Sequence, residues 1–174
     1  QEFDGAAPLC GQIGERIGAY ARFTGLRHTV IYGGVGMQGQ VQALRAGVDL
    51  LVATPGRLCD LMNQGLVRLQ RVEIFVLDEA DRMLDMGFLP SIRRVVGALP
   101  RQRQTLLFSA TMPPEIAPLA AQVLRDPLHI AATPVASAPD AIAQSVYLVA
   151  QENKRDLLRH LLHDGAITRA IVFT

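Results

Sequence analysis

Four short apolar segments, each followed at once by glycine or polar residues, constrain the fold of this chain more than any other feature. They span residues 29–32, 48–53, 74–77 and 105–108. Between them, apolar residues recur at three- and four-residue spacing, which predicts amphipathic helices. Alternation of strands with helices is typical of a doubly wound α/β fold built on a parallel sheet. We therefore predict this fold class.

Local patterns predict where individual helices lie. Ile13, Ile17, Tyr20 and Ala21 would share one face of an early helix. Thr54 is predicted to cap a later helix, and Pro55 would occupy the first position of that helix. Both residues follow directly on an apolar strand.

A change in composition predicts two domains. Residues 133–139 (TPVASAP) are small, rich in proline and uncharged, as in a linker. Residues 1–132 would form an incomplete first domain. Residues 140–174 would begin a second, with strands near 146–149 and 171–173 and a leucine-rich helix between them. The start at Gln1, without methionine, favours an internal piece of a longer protein, although trimming would give the same start.

Composition limits the class of protein. A net charge of only +1 argues against a broad basic field, so any contact with nucleic acid must be local. No apolar run approaches the ~18 residues of a membrane span, and we expect no membrane partner. Cys10 and Cys59 lack metal-ligand spacing, which fits a reducing cytosol and hence a cytoplasmic protein. Of the 17 basic residues, only Lys154 is lysine.

The strand ends are the candidate functional site, because ligands of open parallel sheets bind outside the carboxyl ends of the strands. Asp78 and Glu79 follow residues 74–77 directly. Such a pair suits a nucleotide site, where one carboxylate holds Mg²⁺ and the other positions water. The alternative is a solvated helix start, where acidic residues are also favoured. Asp81 and Asp85 add charge that a structural helix start does not need.

The other strand ends are open to two interpretations each. The segment from Thr54 to Arg57 opens a helix, whose N-terminus and first-turn arginine bind phosphate readily; a capped helix with an exposed arginine is the alternative. Gly33 and Gly34 allow close backbone approach or merely form a turn. Ser109 and Thr111 supply hydroxyls to a ligand or to local capping. His160 and His163 lie one helical turn apart without a third metal ligand, so an exposed helix face is the simpler interpretation.

Together these segments resemble the motifs of DEAD-box RNA helicases. The segment that begins Val76-Leu77-Asp78-Glu79-Ala80-Asp81 resembles the family's Walker B (DEAD) motif. Three others resemble further motifs in order: Gly33-Gly34 the GG element, Ala53-Thr54-Pro55-Gly56-Arg57 motif Ib, and Ser109-Ala110-Thr111 the SAT motif. The sequence around residues 63–66 and 104–116 is most similar to that of the bacterial RhlE-like subgroup.

The resemblance implies a two-domain, RecA-like ATPase that clamps single-stranded RNA and locally separates duplexes, with ATP and Mg²⁺ as cofactors. It implies that Asp78 coordinates Mg²⁺ through water and that Glu79 activates the attacking water. Asp81 would pair with Ser109 and Thr111 to couple hydrolysis to RNA binding. The RNA contacts would come from Gly33, Gly34, Thr54, Pro55, Gly56 and Arg57.

The chain also departs from the family pattern. The family's phosphate-binding loop ends in Gly-Lys-Thr, whereas Lys154 directly follows Glu152-Asn153 and no glycine-rich turn adjoins it. The loop and the preceding Q motif are therefore missing from these residues, motif Ia matches only at its edge, and motif IV only begins at residues 171–174. We expect this stretch alone to be inactive. The alternatives are a non-catalytic RNA- or partner-binding module, or a DEAH or DNA-helicase type of ATPase, which Asp81 and the Thr-Pro-Gly-Arg segment disfavour.

Overall fold

The computed structural model describes residues 7–131, 143, 145–163 and 167–173. Its contacts divide the chain into two compact units between Ile130 and Ala131. The predicted linker, residues 133–139, lies outside the described residues, so the predicted domain boundaries stay predictions.

The described strands of the first unit form two parallel pairs. β1 (His28–Ile31) pairs with β2 (Leu50–Ala53), in a register that places Ile31 beside Ala53. β3 (Ile74–Leu77) pairs with β4 (Gln104–Leu107), and Leu77 lies beside Leu107. The α/β class with parallel strands is therefore confirmed, and each predicted strand of this unit exists within two residues of its expected start.

The predicted single sheet is not observed among the described strands. Four parallel strands were expected along a single rim, and the described strands form two separate two-stranded sheets. A backbone ladder joins only adjacent strands, and no described strand pairs with members of both sheets. The functional groups at the strand ends therefore divide into two groups, one at each pair.

Helices cover the strands and occupy the predicted stretches. They are α1 (Ala7–Ala21), α2 (Gln38–Arg45), α3 (Pro55–Asn63), α4 (Ala80–Asp85), α5 (Leu89–Ala98) and α6 (Ile116–Val123). α1 packs on β1, and a Cβ at Gly14 would overlap a methyl group of Val30, so glycine permits this approach. Tyr20, which was predicted to share the apolar face of α1, is exposed. No helix in the described ranges is long and apolar enough to cross a membrane.

Two hydrophobic clusters hold the first unit together. The first centres on Ile31 and Leu61, with Val95 of α5. The second gathers Leu77, Ile92, Ile116, Leu119 and Val123 under the β3–β4 pair. Phe75 packs against both clusters. Burial of each such side chain contributes about 1.5–3 kcal/mol, so these clusters fix where the strand ends lie.

The described part of the second unit contains a 3₁₀ turn (Gln151–Asn153) and α7 (Lys154–Leu162). The predicted strands at residues 146–149 and 171–173 are wrong, because these residues have no strand structure. A strand is stable only against a partner ladder. Here Leu148 and Phe173 are 99% and 91% exposed, so apolar composition alone did not produce strands.

Candidate functional site

Asp78 and Glu79 form the turn that leaves β3. Asp78 is exposed, and its Oδ1 accepts a hydrogen bond from the Glu79 amide at 2.9 Å. Glu79 is the N-cap of α4 and has left-handed backbone angles, φ 50° and ψ 48°. A non-glycine residue in this region is strained by about 1–3 kcal/mol, and such strain concentrates at functional sites.

The Glu79 side chain is held by an arginine one helical turn later. Arg82 Nη1 donates to Glu79 Oε2 at 3.2 Å, and both side chains are about half exposed. An exposed ion pair of this kind adds little stability. It places a guanidinium beside the carboxylate, and the sequence motif alone did not point to this contact.

Asp81 connects the turn after β3 to the turn after β4. Its Oδ2 accepts hydrogen bonds from the Thr111 hydroxyl at 2.7 Å and from the Thr111 amide at 2.8 Å. Its own amide donates to Ser109 Oγ at 3.1 Å. The expected Asp81–Ser109–Thr111 grouping is thus present in the structure. The amide of Ala80 donates to the Phe108 carbonyl at 3.1 Å and extends this connection.

The environment of Asp81 favours its ionised form. The Thr111 hydroxyl lowers the pKa of this carboxyl most; desolvation raises it, and the amides of Thr111 and Arg82 and the Ser109 hydroxyl lower it further. The net result is a pKa below the ordinary value of 3.8. Asp81 therefore carries its negative charge throughout the neutral range.

A shallow cavity of about 450 Å³ lies at this turn and is strongly acidic. Its lining consists of Asp78, Glu79, Asp81, Arg82, Asp85 and Ala110. Carboxylate oxygens are the ligands that Mg²⁺ prefers, and this ion usually retains several waters and also takes substrate phosphates. No three His, Cys, Asp or Glu side chains among the described residues converge to hold a metal by themselves. The lining thus fits a hydrated Mg²⁺ that arrives with a nucleotide.

The β1–β2 pair ends at Thr54, which is the N-cap of α3 with extended backbone angles. Thr54 therefore occupies the predicted N-cap position, with Pro55 at the first position of the helix, but its side chain makes no cap hydrogen bond. The residue is only 1% exposed, and its Oγ1 has no hydrogen-bond partner among the described atoms. The hydroxyl is therefore buried and does not cap α3.

Arg57 lies in the first turn of α3 and binds protein groups from two elements. Its Nη1 donates to Gln40 Oε1 at 3.1 Å, and its Nη2 donates to the Val35 carbonyl at 3.0 Å. Gln40 Nε2 in turn donates to the Tyr32 carbonyl at 3.1 Å. No sequence pattern pointed to Gln40, since a glutamine in a helix has many uses.

The remaining predicted residues of the first unit lie in the loop after β1 and at the start of α3. Gly34 has φ 77°, which explains a glycine at that position, and it is exposed. Pro55 is buried at the start of α3, and Gly56 is half-buried. In the second unit, His163 Nδ1 lies 3.0 Å from the Arg159 carbonyl, as at an ordinary helix end.

Comparisons with known proteins agree with this geometry. A family model described as DEAD/DEAH box helicase matches residues 6–119. A rice protein named DEAD-box ATP-dependent RNA helicase 52A is 47% identical over 163 residues, which cover 91% of this chain and 27% of that protein. A protein of Eremothecium gossypii named ATP-dependent RNA helicase DBP2 is 44% identical over 155 residues, 88% of this chain and 28% of that protein.

Two solved structures share the fold. A hypothetical ATP-dependent RNA helicase from Sulfolobus tokodaii superposes with a TM-score of 0.65 at 34% identity, over 68% of this chain and 36% of that chain. A DEAD box protein from Methanococcus jannaschii gives 0.65 at 39% identity, over 68% and 32%. These similarities confirm the RecA-like α/β fold. The chain spans little more than a quarter of the curated relatives it matches.

Proposed function

Because this chain belongs to the DEAD/DEAH box helicase family, we propose that it forms part of an ATP-dependent RNA helicase, which clamps RNA and locally separates duplexes. The bonds from Thr111 to the Asp81 carboxylate carry the proposal. They join the acidic turn to the hydroxyl-bearing turn, so that a conformational change in one turn would alter the conformation of the other.

In this proposal the acidic turn handles the nucleotide. Asp78 would hold Mg²⁺ through its water shell, and the Glu79 carboxylate would accept a proton from the attacking water. The bound ion would neutralise charge that develops on the phosphoryl oxygens. Arg82, which donates to the Glu79 carboxylate, would help to orient it. This orientation matters because catalysis of phosphoryl transfer is mostly positioning plus electrostatic stabilisation.

RNA would lie along the end of the β1–β2 pair. Gly33 and Gly34 would offer backbone to the RNA, while Pro55, Gly56 and Arg57 form the first turn of α3, whose N–H groups suit phosphate. Thr54 would contribute through its backbone position, since its hydroxyl is buried. Contacts to the RNA backbone carry no base information, so binding would be largely independent of sequence.

These 174 residues contain no glycine-rich loop that ends in lysine, so the β- and γ-phosphates of ATP would lose their main anchor. We expect this chain by itself to show no RNA-stimulated ATP hydrolysis above a Glu79→Gln control. A non-catalytic RNA-binding module remains the second candidate, because the residues proposed to contact RNA lie within the described part of the chain.

The rice and Eremothecium gossypii relatives are a plant and a fungal protein, and they do not support placement in the bacterial RhlE-like subgroup. The proposal is therefore limited to the family. A cytoplasmic location stays a prediction from cysteine usage.

A chimera tests the proposal directly. The segment of the Eremothecium gossypii helicase that matches this chain would be replaced by the present residues, so that the relative supplies the flanking segments. We expect the chimera to hydrolyse ATP faster when oligouridylate is added, and Glu79→Gln in the chimera to abolish that stimulation. A chimera that folds and binds RNA, yet shows no stimulated hydrolysis, would leave the non-catalytic module as the better function.

A further inference from the structure

Gln40 occupies the first turn of α2 and bridges two elements through both atoms of its amide group. Its Nε2 donates to the Tyr32 carbonyl just before Gly33, and its Oε1 accepts from Arg57. Arg57 then donates to the Val35 carbonyl just after Gly34. Three hydrogen bonds of 3.0–3.1 Å thus clamp the double-glycine loop at both ends and join it to the start of α3.

This network holds a surface and not the core. Gln40 and Arg57 are both half-buried, at the boundary between the interior and the solvent. The loop it clamps is exposed from Gly34 to Gly36, and Gly34 has a left-handed conformation. An untethered loop with several glycines would populate many conformations, and a ligand would have to order it on binding.

The network restrains Arg57 but leaves some of its N–H donors available for a ligand. A guanidinium has five N–H donors, so two bonds to protein leave donors for a phosphate oxygen. The two bonds also fix the plane of the group, and phosphate recognition by arginine depends on that plane. Gln40 therefore sets both the loop and the arginine of the same surface.

We propose that Gln40 is a positioning residue for RNA: it pre-organises the double-glycine loop and Arg57 as one surface for the phosphate backbone of single-stranded RNA. The inference rests on the proposed function. It adds a residue that touches no RNA itself and sets affinity through Tyr32, Val35 and Arg57.

The test uses the full chain and a fluorescein-labelled oligouridylate, with fluorescence anisotropy as the readout. Gln40→Met keeps the length of the side chain and removes both hydrogen bonds. We expect Kd to rise about tenfold, as for the loss of one to two net hydrogen bonds, with an unchanged anisotropy at saturation. Gln42→Met is the matched control, because Gln42 is exposed on the same helix; its Kd should stay within about twofold.

A role in folding alone would give a different result. It would lower the fraction of chain that binds and leave Kd unchanged, and that outcome overturns the inference. In an Arg57→Met background, Gln40→Met should add clearly less than its single effect, because both act in one network. If Gln40→Met does not fold, Gln40→Asn, which is too short to span the two partners, replaces it with the same expected Kd.

Equal Kd values for Gln40→Met and Gln42→Met would sink the inference while leaving the proposed function intact. Failure of the unsubstituted chain to bind oligouridylate would also overturn it. The stimulated hydrolysis of the chimera remains a separate measurement, so the failure of one proposal is distinguishable from the failure of the other.

Discussion

The carboxylate of Asp81 accepts two hydrogen bonds from one residue, Thr111, at 2.7 Å from the hydroxyl and 2.8 Å from the amide. Asp81 follows β3 and Thr111 follows β4, so the bonds cross between the ends of two paired strands. A single aspartate thereby ties the acidic turn to the hydroxyl turn, and this tie makes the stability of the chain depend on pH.

Replacement of Asp81 should reveal that dependence. The folded state lowers the pKa of Asp81 below 3.8, so its contribution is fully present above pH 3.8 and is lost as pH falls through the lower, folded-state value. Because the site is partly exposed, we expect Asp81→Asn to reduce the free energy of unfolding by about 1 kcal/mol at neutral pH. Urea unfolding at several pH values should show this difference shrinking in acid.

The partner variant Thr111→Val provides the control for this prediction. It keeps the β-branched shape and removes the hydroxyl that lowers the pKa of Asp81 most. The pH-dependent effect of Asp81→Asn on the free energy of unfolding should therefore be smaller in the Thr111→Val background. An Asp81→Asn effect that is the same at every pH would contradict the assignment.

The strained backbone of Glu79 leads to a second prediction. Glu79 has φ 50°, and glycine adopts this conformation without the clash of a Cβ. We expect Glu79→Gly to be more stable than Glu79→Ala by about 1 kcal/mol in urea unfolding. In the chimera, both variants should lose RNA-stimulated hydrolysis, because both lack the carboxylate.

Asp126 supplies a matched comparison, since it also has positive φ, at 43°, and is exposed away from the cavity. Asp126→Gly should likewise exceed Asp126→Ala in stability, while the hydrolysis of the chimera is retained. Equal stability of the glycine and alanine variants at position 79 would show that no strain is stored there.

The sequence predicted the positions of Asp78, Glu79 and Ser109 because an apolar strand followed by polar residues is a local signal. It did not predict that the four strands divide into two pairs, since pairing depends on tertiary partners. The apolar segments at 146–149 and 171–173 failed as strands for the same reason. The sequence did not indicate Gln40, because its contacts with Tyr32 and Arg57 form only in the folded chain.

Thr54 gives a third prediction, in which an N-cap substitution should stabilise. Loss of an N-cap threonine usually costs about 1 kcal/mol, but here the hydroxyl makes no cap bond and is buried without a described partner. Thr54→Val should raise the free energy of unfolding by about 1 kcal/mol, because an unsatisfied buried hydroxyl is removed.

A measurement of RNA affinity tests whether the Thr54 hydroxyl contacts RNA. We expect the Kd of Thr54→Val for oligouridylate to match that of the unsubstituted chain within about twofold, since one hydrogen bond is worth more than this. A clear loss of affinity, with the stability gain absent, would mean that the hydroxyl turns outward to meet RNA. Thr111→Val should have the opposite effect and lower the free energy of unfolding, because the Thr111 hydroxyl donates a hydrogen bond to Asp81.

The exposed face of β3 gives the last prediction. Ile74 and Val76 alternate along the strand and so share one face, on which they are 61% and 50% exposed. A strand that shows apolar side chains and an open backbone edge tends to associate with other chains. We expect the apparent mass of the chain in light scattering to rise with concentration. Ile74→Thr with Val76→Thr should reduce that rise, because threonine keeps the β-branched shape while it lowers hydrophobicity.

The control, Leu128→Thr with Ile130→Thr, removes two exposed apolar residues outside the strands and should leave association unchanged. A monodisperse chain with one sharp unfolding transition would show that this face does not drive association.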